Sequence, residues 1–378
     1  MKRIVLLSLT GAAAILLLLN FSCSKKGTSS SGTGSTIGND SILLNIGNNI
    51  ILPGYKSLSM ATGSLDSAII DFSANPNGAS LSNVRALFKS AYIAWESVSE
   101  YDGFGPAYNV QPTLAGLNLF PTTTTRIDSN INAGNDNVNA FSNASAKGFP
   151  ALDYLLFGAG NNTLANYTTD AQASNRKQYL SAISADIKTE VNTAYAGWAA
   201  RGGNYINTFV NGTGNSISSS LGLLINSMDQ DFEVLKNDRL GIPLGKQPPG
   251  AILPVLPKEV EAYYSGISAQ LALAQLKAVQ NIYLGSGTQG NGPGLQDYLI
   301  EAGAKYNGGL LSDTVKAYFS SAVSALQAIP DPFSATIQSN AAPADALYAE
   351  IQQLVVLLKT DMPSSLGVLI TYGDNDGD

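Results

Sequence analysis

Apolar positions recur at spacings of three, four and seven along most of the chain, and runs that alternate apolar with polar residues are scarce. Recurrence at those spacings marks the buried stripe of a helix, whereas alternation would mark a half-buried strand. Between Ser41 and Phe72 the stripe runs through Leu44, Ile51, Tyr55, Leu58, Leu65, Ile69 and Phe72, which predicts a helix bent or broken at Pro53-Gly54. Leu81 to Glu100 repeats the pattern through Val84, Leu87, Phe88, Ala91, Trp95 and Val98. Further helices are predicted at about Thr169 to Ala199, Ser216 to Arg239, Pro257 to Tyr283, Ser312 to Ala328 and Ala342 to Thr360. The fold class is therefore all-α, and antiparallel bundles suit helices of this length. Gly202 to Asn215 is rich in Gly and Asn, both poor helix formers, and divides the helices into two comparable groups. The boundary is drawn between an N-terminal helical half at 41–205 and a C-terminal half at 206–372.

The first residues follow a different pattern. Lys2 and Arg3 precede an apolar run from Ile4 to Leu19, too short for a comfortable membrane span, which reads as a cleaved export signal over 1–22. Cys23 is the sole cysteine of the 378 residues, so it has no internal disulfide partner. A lone cysteine after small Ser22, at the end of such a signal, resembles the lipidated cysteine of bacterial lipoproteins, although Asn20 and Phe21 depart from the usual Leu-Ala-Gly-Cys pattern. The expected partner is thus a membrane, reached through a lipid on Cys23. Residues 23–40, rich in Ser, Gly and Thr, read as a flexible tether.

Composition narrows the chemistry. The chain contains no histidine, the commonest metal ligand and neutral-pH general base. The formal charge is −7 and no basic cluster stands out, which argues against nucleic acid as a partner.

Four constellations carry candidate chemistry. In Gly148-Phe149-Pro150-Ala151-Leu152-Asp153-Tyr154-Leu155-Leu156-Phe157-Gly158, Pro150 suits a first helical turn and Gly158 an end, and a single carboxylate is set into an apolar helix with no evident water-facing side. Asp153 there must sit at a rim or be paired. Arg239 continues the apolar stripe of Leu221, Leu224, Ile225, Met228, Phe232 and Leu235, and an arginine on a core face usually meets a carboxylate. Arg239 or Arg126 is the expected partner of Asp153. Asp229, Glu233 and Lys236 share a neighbouring stripe, where Glu233 and Lys236 suit an i,i+3 pair on a solvated face. Glu96 and Glu100 lie four residues apart, a repulsive spacing unless a cation sits between them, and Trp95 is in register with the core. Asp128 reads as a cap or early-helix acid. Asp153 and Glu233 are weak candidates for holding a metal. Asp374-Asn375-Asp376-Gly377-Asp378 resembles the start of a calcium loop but lacks its distant Glu, and 373–378 reads as a frayed acidic tail.

Together these segments resemble the imelysin family over nearly the whole mature chain. Ile50-Ile51-Leu52-Pro53-Gly54-Tyr55, Ala94-Trp95-Glu96 with Gly105-Pro106, Phe120-Pro121 with Arg126-Ile127-Asp128, Asp238-Arg239-Leu240-Gly241-Ile242-Pro243 and Leu366-Gly367-Val368-Leu369-Ile370-Thr371-Tyr372 look like successive family segments. The stretch from Gly148 to Gly158 occupies the place of the signature Gly-x-His-x-x-Glu. The resemblance implies two related helical-bundle halves with the signature near their interface, in a bacterial envelope protein, often a lipoprotein associated with iron acquisition. It also implies a metallopeptidase reading, in which the signature His and Glu bind metal. This chain departs at both positions, with Pro150 in place of the His and Asp153 in place of the Glu.

A zinc hydrolase needs about three protein ligands and a base, which this chain lacks the histidines to supply. The expectation is therefore a non-catalytic lipoprotein of the outer membrane, facing the periplasm, that takes part in uptake of iron or another metal ion together with other envelope proteins. Its cleft would be formed by Gly148, Phe149, Pro150, Asp153, Tyr154, Trp95, Glu100, Arg126 and Arg239. The alternatives are an imelysin-type metallopeptidase and a purely structural or interaction lipoprotein.

Overall fold

The first helix of the computed structural model starts as α1 (Asn39–Asn45), widens into a π-helical stretch at Ile46–Ile51 and continues as α2 (Leu52–Ala74). The irregularity predicted at Pro53-Gly54 thus falls one turn earlier. Pro53 itself sits in the first turn of α2, where its missing N–H breaks no intrahelical bond. The structure describes residues 38–110, 115–247 and 253–372. The signal at 1–22, Cys23, most of the tether and the tail at 373–378 lie outside the described residues.

Asn77 starts α3 (Gly78–Trp95) by accepting from the N–H groups of Ala79 and Ser80, and Ser80 reciprocates to the Asn77 N–H. Helix α2 packs between α3 and the long α5 (Ala173–Trp198), burying the stripe read from the sequence. Between them comes α4 (Gly148–Phe157), the apolar segment with the single carboxylate. Then follow α6 (Ser220–Val234), extended by a π-helical stretch Leu235–Gly241, and α7 (Ser268–Leu284), α8 (Leu311–Gln327) and α9 (Ala342–Val356), which pack on one another. Two antiparallel pairs of two-residue strands are the extended elements among the described residues. No described helix is long and apolar enough to cross a membrane.

Two predicted elements change. The Gly/Asn-rich divider contains a short helix, Tyr205–Asn211, whose Ile206 and Phe209 are buried; Phe209 stacks with Phe104 and meets Trp198 edge-on. Core side chains from both sides of the 205/206 boundary belong to one continuous hydrophobic cluster. The second change matters more: residues 257–266, expected as the first turns of a helix reaching Tyr283, form a run of turns instead. Ala262 there has φ 49°, a left-handed conformation that stops a helix.

Candidate functional site

Helix α4 is fixed at both ends. Gly148 has φ 75°, and a Cβ at that position would lie 2.2 Å from the Leu117 carbonyl oxygen, so a side chain is excluded. Lys147, just before it, is buried and pairs with Asp186 at 2.9 Å. At the other end Arg85 donates to the Leu156 carbonyl at 2.8 Å and lies over the Phe157 ring. All the residues from Gly148 to Leu156 are buried except Tyr154, as the lack of a water-facing side implied. Phe149 stacks on Tyr92, centroids 4.8 Å apart at 10°, and Trp95 packs beside it as a core residue.

Among the described residues Asp153 meets no arginine. Its Oδ2 accepts from the Tyr264 N–H and its Oδ1 from the Ser265 N–H, each at 2.9 Å. The expected pairing with Arg239 or Arg126 is therefore replaced by backbone donors of the turn at 257–266, which a helical reading of that segment had left with no spare N–H groups. Burial raises the Asp153 carboxyl to about 6, and its hydrogen bonds to Ser265 and Tyr264 hold it from going higher. Arg126 is exposed. Tyr154 donates to Asp128 at 2.9 Å, so Asp128 serves as an acceptor inside the helix Thr124–Ala133 rather than as its cap.

Arg239 does meet carboxylates, two of them. It is ion-paired with Glu96 and, at 2.9 Å, with Glu261, and its Nη1 donates to Gln275. Tyr92 and Asn118 each donate to Glu261. Gln275 in turn donates to Asp231, which also accepts from Ser99. One guanidinium thus serves a group of buried acids. Burial pushes the carboxyl of Glu96 well above its ordinary range, opposed by Arg239, and burial raises that of Asp231. The positive charge of Arg239 is held in place by Glu261 and Glu96 against the cost of its own burial.

Asp153 faces a cavity of about 230 Å³ lined by Phe120, Thr122, Pro150, Lys258 and Tyr264 among others. Val260 and Ala262 also face it, while Glu261 between them turns away to Arg239. The Phe120 ring lines the cavity and has the Arg239 guanidinium carbon 6.0 Å from its centroid. Of the residues expected in the cleft, Pro150 and Asp153 line this cavity, Gly148 and Phe149 support it, and Arg239 lies behind Phe120. Trp95, Tyr154 and Arg126 do not line it, and Glu100 belongs to a different cavity.

Glu233 pairs with Lys236 at 2.6 Å as the spacing predicted, but both are buried rather than on a solvated face, and Asp229 beside them is buried too. Burial, then the Glu233 charge, raises Asp229 well above the ordinary carboxyl range. Asp153 and Glu233 are committed to different partners. Among the described residues no three Cys, Asp or Glu side chains are placed to hold a metal ion. The signature positions do not fit the metal that the resemblance implies: Pro150 has no side-chain donor atom, which leaves Asp153, held by two backbone N–H groups, as one carboxylate where a site needs about three ligands.

Sequence reasoning missed Glu261, Asn118, Asp231 and Gln275. The core-facing arginine was the signal that buried acids must lie nearby; nothing in the local sequence identified which. Comparison with known structures gives the same fold. An iron-regulated protein A precursor from Parabacteroides distasonis matches with TM-score 0.71 and 15% identity, over 89% of this chain and 97% of that one. An imelysin-like protein from Psychrobacter arcticum matches with TM-score 0.64 and 18% identity, over 88% and 97%. A search of curated protein sequences finds no match. The imelysin family model matches residues 51–360, and the chain belongs to the imelysin family.

Proposed function

We propose that this protein is a non-catalytic binding protein of the bacterial envelope, tethered through lipid on Cys23 to the outer membrane and serving uptake of iron or another metal. The observation that carries the reading is the cavity itself: of the two signature positions in its wall, Pro150 has no side-chain donor and Asp153 is a single carboxylate already bonded to two backbone N–H groups, too few ligands to hold a bare metal ion. A metal taken up there comes with its own ligands, as a small complex. Exposed Lys258 and the Tyr263 and Tyr264 rings suit an anionic complex with a flat organic part. A structural neighbour named for iron regulation supports the choice of metal. The export signal and lone cysteine support the location.

Calorimetric titration with iron(III) citrate tests the reading. Saturable binding that Asp153→Ala and Lys258→Met both weaken is expected; no heat of binding, or binding that both variants leave unchanged, overturns it. The alternative of a purely structural segment draws on one specific feature, since Asp153 clamps the turn at 264–265 to α4. It is favoured if Asp153→Ala lowers the melting temperature while no metal complex binds.

A further inference from the structure

The residues around the Asp153 cavity are graded in exposure. Pro150, Asp153, Val260 and Ala262 are buried and mark its floor, whereas Pro121, Lys258 and Tyr263 are exposed and mark its mouth. Between them stand the half-buried Phe120 and Tyr264 rings. Tyr264 is fixed from several directions: its N–H donates to Asp153, and its ring lies 5.3 Å from that of Tyr154 and 5.2 Å from that of Tyr263, at 82°. The aromatic side of the cavity is therefore set before a ligand arrives.

Size limits what enters. The cavity measures about 230 Å³. An enclosed apolar cavity of about 150 Å³ suffices for a benzene molecule, while pockets for drug-sized ligands start at roughly 300 Å³. One aromatic ring fits inside, and a metal complex with several chelators does not. Charge sets the direction of entry. With its carboxyl raised to about 6, Asp153 is mostly ionised at neutral pH and repels anionic oxygens from the floor. It attracts the electropositive edge of an aromatic ring instead. Anionic oxygens are drawn to the mouth, where Lys258 stands.

We propose that the cavity admits, ring first, one arm of an iron(III) complex of an aromatic chelator with adjacent phenolate oxygens, leaving the metal at the mouth beside Lys258. This rests on the metal-complex reading above and names the class of chelator that carries the metal. Iron(III) favours anionic oxygen donors, and a catechol supplies two of them on one edge of a ring whose opposite edge is bare hydrocarbon. That bare edge meets the floor, and the ring faces meet the tyrosine, phenylalanine and proline side chains. Citrate has no ring and leaves those walls unfilled.

Equilibrium dialysis of the protein against the iron(III) complex of 2,3-dihydroxybenzoate, and in parallel against iron(III) citrate, tests this. The aromatic complex is expected to bind more tightly than citrate by roughly tenfold or more. Iron-free 2,3-dihydroxybenzoate has the ring without the charged core, and should bind more weakly than its complex by roughly tenfold or more. Both comparisons use the unaltered protein and need no variant to fold. Tyr263→Leu, at an exposed position, should weaken the aromatic complex by roughly three- to tenfold, the worth of one aromatic contact, and leave citrate unchanged. Citrate binding as tightly as the aromatic complex overturns the proposal and leaves the metal-complex reading standing. Iron-free chelator binding as tightly as its complex, or Tyr263→Leu acting equally on both complexes, also overturns the proposal. Binding of neither complex overturns the proposal and that reading together.

Discussion

Two acid groups lie near Phe120, one behind Arg239 and one at the cavity that Phe120 lines, and they are neutralised by different means. Around Arg239, charge meets charge: one guanidinium is shared by Glu96 and Glu261, with Asp231 joined through Gln275. At Asp153 no cation is in contact, and two backbone N–H groups of a turn accept the load. The first arrangement is closed, with its side chains almost fully buried, while the second forms part of the wall of a cavity. An ion-paired cluster strands several charges if one member is removed, whereas a carboxylate on backbone dipoles strands only N–H groups. The cluster therefore behaves as a structural knot, and the Asp153 wall is the region that can change its protonation or accept a ligand.

The sharpest way to break this contrast is Arg239→Met. It leaves Glu96 and Glu261 buried without their cation, and a loss of about 3–5 kcal/mol is expected in urea denaturation. Arg126→Met, at an exposed position with no carboxylate partner, is the control and should fall within about 0.5 kcal/mol of the parent. Equal effects at the two arginines would mean that the cluster carries no more of the fold than the surface does.

A pH series separates the regions next. Asp153 is raised to about 6 and Asp102, mainly by burial, to about 7, against ordinary values of 3.8. A raised carboxyl makes the folded state hold protons that the unfolded state has lost, so stability falls as pH rises from about 4 through 6 and 7. The Asp153 shift corresponds to roughly 3 kcal/mol over that window. The melting temperature should therefore be higher at pH 5 than at pH 8. Asp153→Asn should lessen the slope between about pH 4 and 6, where Asp102 also contributes, and leave the slope between 6 and 7 unchanged. At pH 5 it should also cost about 1–3 kcal/mol, because the amide can accept only one of the two N–H groups. That deficit should narrow as pH rises to about 6, because the parent loses the stability of its bound proton over that window, and should stay constant above it. A slope unchanged by the substitution would place the titration elsewhere.

The same contrast shows what could be read in the sequence. Helical periodicity located α2, α3, α5, α6, α8 and α9, because each buries a continuous stripe that local spacing reveals. The stripe also marked Arg239 as a core-facing cation in need of a carboxylate. It did not reveal that Glu96 and Glu261 would supply it, since that choice is made by segments 143 and 22 residues distant from Arg239. The segment 257–266 was misread because Val260, Ala262 and the tyrosines fit a helix as well as a turn. Its real conformation is set by the left-handed Ala262 and by Asp153 and Arg239, which take its N–H groups and its carboxylate. Glu96 and Glu100, read as one repulsive pair, part company because α3 stops at Trp95 and Glu100 falls in a separate 3₁₀ turn at Ser99–Tyr101, buried beside Tyr101, while Glu96 pairs with Arg239.

The smallest effect tests which region Tyr154 belongs to. It is a half-buried member of α4, donating to Asp128 at 2.9 Å while its ring lies 5.3 Å from that of Tyr264, which lines the Asp153 cavity. Burial and the Asp128 carboxylate push its hydroxyl up to about 12, so it stays protonated, and a donor, at every pH of interest. Tyr154→Phe removes one hydrogen bond to a charged acceptor that is partly open to solvent, and a loss of about 0.5–1.5 kcal/mol is expected, independent of pH between 5 and 8. Iron(III) citrate binding should not change, because Tyr154 only backs Tyr264 and does not face the cavity. If affinity fell with the hydroxyl while stability held, Tyr154 would have to be counted with the adaptable cavity wall rather than with the fixed packing behind it, and the division between the two regions would run through α4 itself.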